Sequence, residues 1–206
     1  MRVLPVGDHA LLVELPTGEA ALALHAELLR RRAAGTLPRI GEIVPAARTV
    51  LLDGVEEPGA LARRLTRWEI PPAPPAAEAA LTLSVRYDGP DLDEVAAAWG
   101  VRPEEVAAIH SGAAYRVAFC GFAPGFGYLT GLPERYATPR RGTPRTAVPP
   151  GSVALAGPYT GVYPRASPGG WQLIGTTDAV LWDPGREPAA LLAPGVLVRF
   201  VPEPAS

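Results

Sequence analysis

The sequence predicts an α+β chain in two parts, a ferredoxin-like α+β domain followed by a β-barrel. Three observations carry this expectation. The run Pro71-Pro-Ala-Pro-Pro-Ala-Ala-Glu-Ala-Ala80 is extended and packs poorly, so 71–80 reads as a semi-rigid linker. Before it, strand and helix patterns follow the order β-α-β-β-α, most of a split βαβ unit. After Cys120, helix signals stop and short strand patterns recur between Pro- and Gly-rich turns, as in a closed barrel with one or two helices packed on it. The expected boundaries are 1–75 and 76–206, both ordinary domain sizes.

In the first domain, Ala10 to Leu15 is a strand candidate. Glu19 to Ala34 is a helix candidate, with Leu22, His25, Ala26 and Leu29 at helical spacing and Gly35 just past its end. Glu42 to Ala46 and Arg48 to Asp53 are strand candidates. Pro58 suits a first helical position, and Leu61, Leu65 and Trp68 follow on one face. A further strand precedes or follows this set. In the second domain, Leu81, Leu83, Val85 and Tyr87 alternate with polar residues, which predicts a half-buried strand. Asp91-Leu-Asp-Glu94 reads as a capping-box variant opening a helix that ends near Gly100. Pro103 opens another that runs to about His110. Strands are expected at Tyr115 to Cys120, Val153 to Ala156, Trp171 to Gly175, Ala179 to Trp182 and Val196 to Val201.

Composition removes several function classes. The 206 residues carry a net charge of -2, and all 19 basic residues are arginines. Without lysine there is no Walker A site, no Schiff base to pyridoxal phosphate and no attached biotin. The single cysteine, Cys120, excludes an internal disulfide and a CxxC motif, and His9, His25 and His110 match no zinc pattern, so no metal is expected. Near-neutral charge argues against nucleic-acid binding. The longest uncharged run, Thr146 to Pro164, holds four prolines and cannot be a membrane helix. No signal peptide is visible, so a soluble, cytoplasmic protein is expected.

Residues 110–177 concentrate unusual chemistry. Gly121-Phe-Ala-Pro-Gly-Phe-Gly-Tyr128 places Phe122, Phe126 and Tyr128 around Pro124 on a stiff Gly/Pro backbone. Such a loop makes a wall for a small planar ligand, or its rings plug one end of a barrel. Arg140, Arg141 and Arg145, beside Pro139 and Pro144, form either an anion clamp or a solvated loop. From Thr146 to Thr177 the only charge is Arg165, which suits orienting an amide or forming a dry interface. His110 is a candidate general acid/base, or a residue that complements a helix C-terminus. No GxSxG elbow surrounds Ser152.

Taken in order, these segments resemble the allophanate hydrolase subunit 1 family, which includes the B subunit of 5-oxoprolinase and the Kip inhibitor of a sporulation histidine kinase. The resemblance rests on His110 with Tyr115-Arg-Val, Gly121-Phe-x-Pro-Gly-Phe-x-Tyr-Leu129, Pro139-Arg140 with Pro144-Arg145, Val148-Pro-x-Gly-Ser-Val153, Thr160-Gly-x-Tyr-Pro164 and Ser167-Pro-Gly-Gly-Trp171. It implies a cyclophilin-like barrel after the N-terminal domain. It further implies one component of an ATP-dependent amide or lactam hydrolase, inactive alone, that opens 5-oxoproline to glutamate. The implied partners are a subunit-2-like protein (the C subunit of 5-oxoprolinase) and, in the fuller assembly, the larger A subunit, with ATP used at the level of the complex. In that role His110, Arg140 and Arg145 would be the catalytic candidates. Phe122, Pro124, Phe126, Tyr128, Tyr163, Gly169, Gly170 and Trp171 would hold the substrate. Two other family roles stand beside this one: docking on a sensor histidine kinase, and the carboxyltransferase half of a urea-carboxylase-type system. The sequence departs from the family pattern at Pro158-Tyr159-Thr160, Ile174-Gly-Thr176-Thr177-Asp178 and Gly195-Val196, where Thr176 stands in place of a usual Arg.

Overall fold

The computed structural model describes residues 1–72 and 80–203. The chain divides into two units, Met1–Ala76 and Ala77–Ser206. Most of the expected linker, residues 73–79, lies outside the described residues.

The first unit runs β1 (Arg2–Val6), β2 (Ala10–Glu14), α1 (Gly18–Ala33), β3 (Glu42–Pro45), β4 (Thr49–Asp53) and α2 (Pro58–Leu65). Its sheet has the order β1-β2-β4-β3, antiparallel throughout. Helix α1 starts where the Thr17 hydroxyl accepts the Ala20 N–H, and it carries Glu19 in its first turn and Arg30, Arg31 and Arg32 in its last. Those charges complement the helix dipole. Leu24 and Leu28 of α1 and Leu61 and Leu65 of α2 share one buried cluster with Leu11, Val13, Val50 and Leu52 of the sheet. Each such side chain contributes about 1.5–3 kcal/mol by leaving water. The helix and strand periodicities therefore point into one core. Trp68 lies beyond the end of α2 but still packs on that core.

The second unit opens with β5 (Leu81–Val85), α3 (Leu92–Trp99), α4 (Pro103–Gly112), β6 (Tyr115–Cys120) and β7 (Gly127–Thr130). It continues through β8 (Arg145–Val148), β9 (Ser152–Ala156), β10 (Tyr159–Val162), β11 (Ser167–Gly169), β12 (Gln172–Thr176) and β13 (Leu197–Pro202). Seven strands form one sheet in the order β12-β9-β10-β7-β6-β13-β5. Arg86, just past β5, exchanges both backbone hydrogen bonds with Thr176 of β12, at 2.9 and 2.8 Å. The two edges of the sheet thus meet and the barrel nearly closes, which removes its exposed edges. Glycine is required at this seam. A Cβ at Gly175 would collide with the Arg86 carbonyl, and one at Gly89 with the Leu173 carbonyl. The barrel core is Leu83, Val85, Val117, Leu129, Val153, Leu155, Val198 and Phe200, joined by Val95 of α3 and Val106 of α4.

Two expectations need correction. Helix α3 begins beside Asp91, but the Asp91 side chain makes no capping bond, because it is engaged across the fold. No strand forms over 179–182; a lone bridge joins Trp182 to Ala190. Strands β7, β8, β10 and β11 fall where the sequence reads only as loop.

Candidate functional site

Outside the main barrel core lies a second cluster built on aromatic rings, with Phe126, Tyr163 and Trp171 buried in it. The Phe126 ring meets Tyr163 edge-on at 5.4 Å and Trp171 at 5.3 Å, and Tyr128 meets Trp171 at 5.5 Å. Edge-to-face pairs of this kind are favoured by the ring quadrupoles. Gly161 of β10 forms the floor beneath them: a Cβ there would sit 2.8 Å from Phe126 and 2.9 Å from Trp171. Gly169 gives similar room, since a Cβ would strike the Tyr163 hydroxyl. Phe122 stands at the edge, 57% exposed, with φ at +68°. The Ala123 N–H bonds the Gly121 carbonyl at 2.8 Å, closing a tight turn on Phe122. A non-glycine residue held there stores strain, and such strain clusters at functional sites.

These rings line a cavity of about 270 Å³ that is open to solvent on one side. Phe122, Phe126, Tyr128, Tyr163, Gly169, Gly170 and Trp171 line it, and so does Arg140. Pro144 and Pro168 complete the lining, whereas Pro124 does not reach it. The volume lies just under the range of about 300–1,000 Å³ for drug-sized ligands, so a small ring suits it.

The three nearby arginines have different fates. Arg141 donates to Asp91 Oδ1 at 2.6 Å and Arg145 to the same oxygen at 2.7 Å. The Leu173 N–H of β12 donates to Asp91 Oδ2 at 2.7 Å. Burial pushes the Asp91 carboxyl up, but the bonds from Arg145 and Leu173 and the charges of both arginines outweigh it, leaving the carboxyl below its usual range. Among the described residues no carboxylate pairs with Arg140. Burial holds the Tyr163 phenol pKa above its ordinary value, against the pull of Arg140 and Arg145, so Tyr163 remains a neutral O–H donor. The cavity therefore offers one unpaired guanidinium, the phenols of Tyr128 and Tyr163, and several ring faces.

His110 lies elsewhere, in the barrel core with no exposed surface. Its Nδ1 is 2.8 Å from the Tyr87 hydroxyl and its Nε2 is 3.3 Å from the Thr160 hydroxyl. Tyr115 donates to its carbonyl, and the rings of Tyr115 and Phe200 pack against it. Burial lowers its pKa to about 3, so the imidazole is neutral. The imidazole is thus packed and hydrogen-bonded inside the core and does not line the cavity. Arg145 likewise serves Asp91 and does not line the cavity. Sequence reading makes Asp91 a helix cap, and nothing in its neighbourhood signals a partner 50 residues away. Among the described residues no group of three or more His, Cys, Asp or Glu is placed to hold a metal ion, and no helix is long and apolar enough to cross a membrane.

A family model for the carboxyltransferase domain, subdomain C and D, matches residues 1–192. The B subunit of 5-oxoprolinase from Escherichia coli O157:H7 is 45% identical over 175 residues, covering 81% of this chain and 80% of that protein. The corresponding B subunit from Bacillus subtilis (strain 168) is 51% identical over 113 residues, 55% of this chain and 47% of the relative. Among solved structures, TTHA0988 superposes with a TM-score of 0.79 at 35% identity, covering 96% of this chain and 41% of its own. The Kluyveromyces lactis urea amidolyase shares the fold at 19% identity, with a TM-score of 0.71 over 98% of this chain and 15% of that one.

Proposed function

The chain belongs to the carboxyltransferase domain family, subdomain C and D, and from that premise we propose that it is the B subunit of a 5-oxoprolinase. The observation that carries this reading is 45% identity across four-fifths of both chains with a protein named for that role. The cavity is compatible with it. 5-Oxoproline is a small lactam ring bearing one carboxylate. Arg140 would pair with the carboxylate, Tyr163 would donate to an oxygen, and the walls of Phe126, Tyr128 and Trp171 would orient the ring and exclude water. A charge-assisted contact of this kind contributes about 1.5–3 kcal/mol. Hydrolysis of the lactam with ATP gives glutamate, and the chain's own part is to hold and orient the substrate.

The cavity does not fit a triphosphate: its volume is small and it presents a single unpaired cation. We assign ATP to the partner proteins, the subunit-2-like C subunit and the larger A subunit, and read the isolated chain as inactive and cytoplasmic. The first unit is read as ferredoxin-like, with β1 in the edge position of the β1-β2-β4-β3 order, and the barrel as cyclophilin-like.

The test is co-purification of the chain with its A and C partners, followed by assay with 5-oxoproline, urea and allophanate. ATP-dependent glutamate formation from 5-oxoproline by the assembly alone is the expected result. An intact assembly that leaves 5-oxoproline untouched overturns the reading.

A further inference from the structure

We infer that Asp91 is a positioning residue for the aromatic cavity: it binds Arg141 and Arg145 and so leaves Arg140 alone to face a small anionic ligand. The ligand class rests on the 5-oxoprolinase reading, but the geometry of Asp91 does not. Three guanidiniums fall within six positions of one loop, and arginine cannot shed its charge. Asp91, 2% exposed, takes two of them on a single oxygen and anchors its other oxygen to the Leu173 amide. The same loop is tied to the opposite wall of the cavity. The Arg141 N–H donates to the Gly170 carbonyl at 2.8 Å, and Arg145 of β8 pairs with Gly169 of β11. Asp91 thus joins the start of α3, the arginine loop and β12 at one carboxylate, and the loop it fixes presents Arg140. Arg141 Nε, Arg145 Nη1 and Gln172 Oε1 are buried in the same region without a protein partner, so both guanidiniums are already short of acceptors and depend on Asp91. Removing the Asp91 charge leaves Arg145 with no acid and Arg141 with only Glu94 at 3.4 Å. Both would then compete with Arg140 for any anion.

Asp91→Asn tests this with two independent readouts. The first is labelling of the purified chain with phenylglyoxal, followed residue by residue by mass spectrometry. In the unmodified protein Arg140 should react about 10-fold faster than Arg141 and Arg145, because ion pairing protects the other two. In Asp91→Asn the three rates should converge. The second readout is kinetics of the assembled complex on 5-oxoproline. KM should rise about 10-fold with kcat nearly unchanged, and Asp91→Asn should add nothing in an Arg140→Gln background. A purely structural Asp91 would instead give multiplying effects. Unchanged labelling ratios, or effects that multiply, overturn the inference. If Asp91→Asn does not fold, Arg141→Gln decides, since it loosens the loop while Asp91 keeps Arg145. Its KM should rise with Arg145 still slow to label, and an unchanged KM overturns the inference. If the unmodified assembly ignores 5-oxoproline, the proposed function fails while the labelling result still judges Asp91.

Discussion

Gly161→Ala would disturb the aromatic cavity from beneath. Gly161 lies in β10 opposite Ala154, in a backbone conformation open to alanine, so the added Cβ is the whole perturbation. Its contacts with Phe126 and Trp171, at 2.8 and 2.9 Å, fall roughly 0.6–1.2 Å short of the optimal carbon–carbon separation. Neither ring can yield easily. Phe126 is 1% exposed and Trp171 5%, and Tyr163 and Tyr128 brace them. Overpacking of this kind costs about 1–3 kcal/mol. For a unit of this size that lowers the unfolding midpoint by roughly 4–12 °C. The displaced rings should also narrow the cavity and raise KM for the ligand. Differential scanning calorimetry and steady-state kinetics measure the two effects. Gly112→Ala is the control: nothing lies within 4 Å of its Cβ position, and its change should stay within about 0.5 kcal/mol. If Gly161→Ala melts and turns over like the control, the rings do not rest on Gly161 and the packing argument is wrong.

Phe122→Gly should raise stability by about 1 kcal/mol, because glycine accepts φ of +68° freely, while ligand affinity falls with loss of the ring. A lower melting temperature would show that the Phe122 ring stabilises more than its backbone costs. Arg140→Gln in the assembled enzyme should raise KM by about 10–100-fold with a smaller change in kcat, since one charge-assisted contact is lost. A KM within error of the parent would remove Arg140 from the site. His110 sets an acid limb of stability. Its folded pKa of about 3 lies below the unfolded value of 6.5, so the unfolded chain binds the extra proton between them. Stability of the barrel unit should therefore be full above pH 6.5 and fall below it, by at most about 1.4 kcal/mol per unit. His110→Gln should flatten that slope above the carboxylate range, and melting curves across pH would reveal a slope that persists.

Legibility in the sequence followed the strength of local signals. Helices α1 and α2 announce themselves because their apolar spacing, the flanking Thr17 and the first-turn Pro58 all agree with the tertiary core. Strand β1 carries Pro5 and an exposed edge, and β7 and β10 are short and contain glycine, so neither pattern nor propensity marks them. The apolar run at 179–182 has the opposite problem. Leu181 turns inward while Val180 and Trp182 stay exposed, a strand-like alternation without a neighbouring strand to pair along its length. The loop 121–128 is readable as a stiff Gly/Pro segment that presents rings, and those rings meet in one aromatic cluster. His110 shows the limit, since residue type suggests proton transfer and only complete burial reveals its place in the core.

The division of labour among Arg140, Arg141 and Arg145 is beyond sequence reading for a physical reason. Three like charges in one loop cannot all be free beside an apolar cavity without raising the free energy of the fold, yet sequence spacing does not say which are neutralised. A lysine in such a position can shift its pKa and go neutral when it is buried. This chain has no lysine, so each cation near the cavity must either reach water or find an acid. Arg145 and Arg141 find Asp91, at 23% and 29% side-chain exposure. Arg140 finds none and lines the cavity. The lysine-free composition therefore bears on the site directly: Arg140 reaches water, whereas the half-buried Arg141 and Arg145 require the Asp91 carboxylate. The remaining charge is what the cavity offers to a ligand.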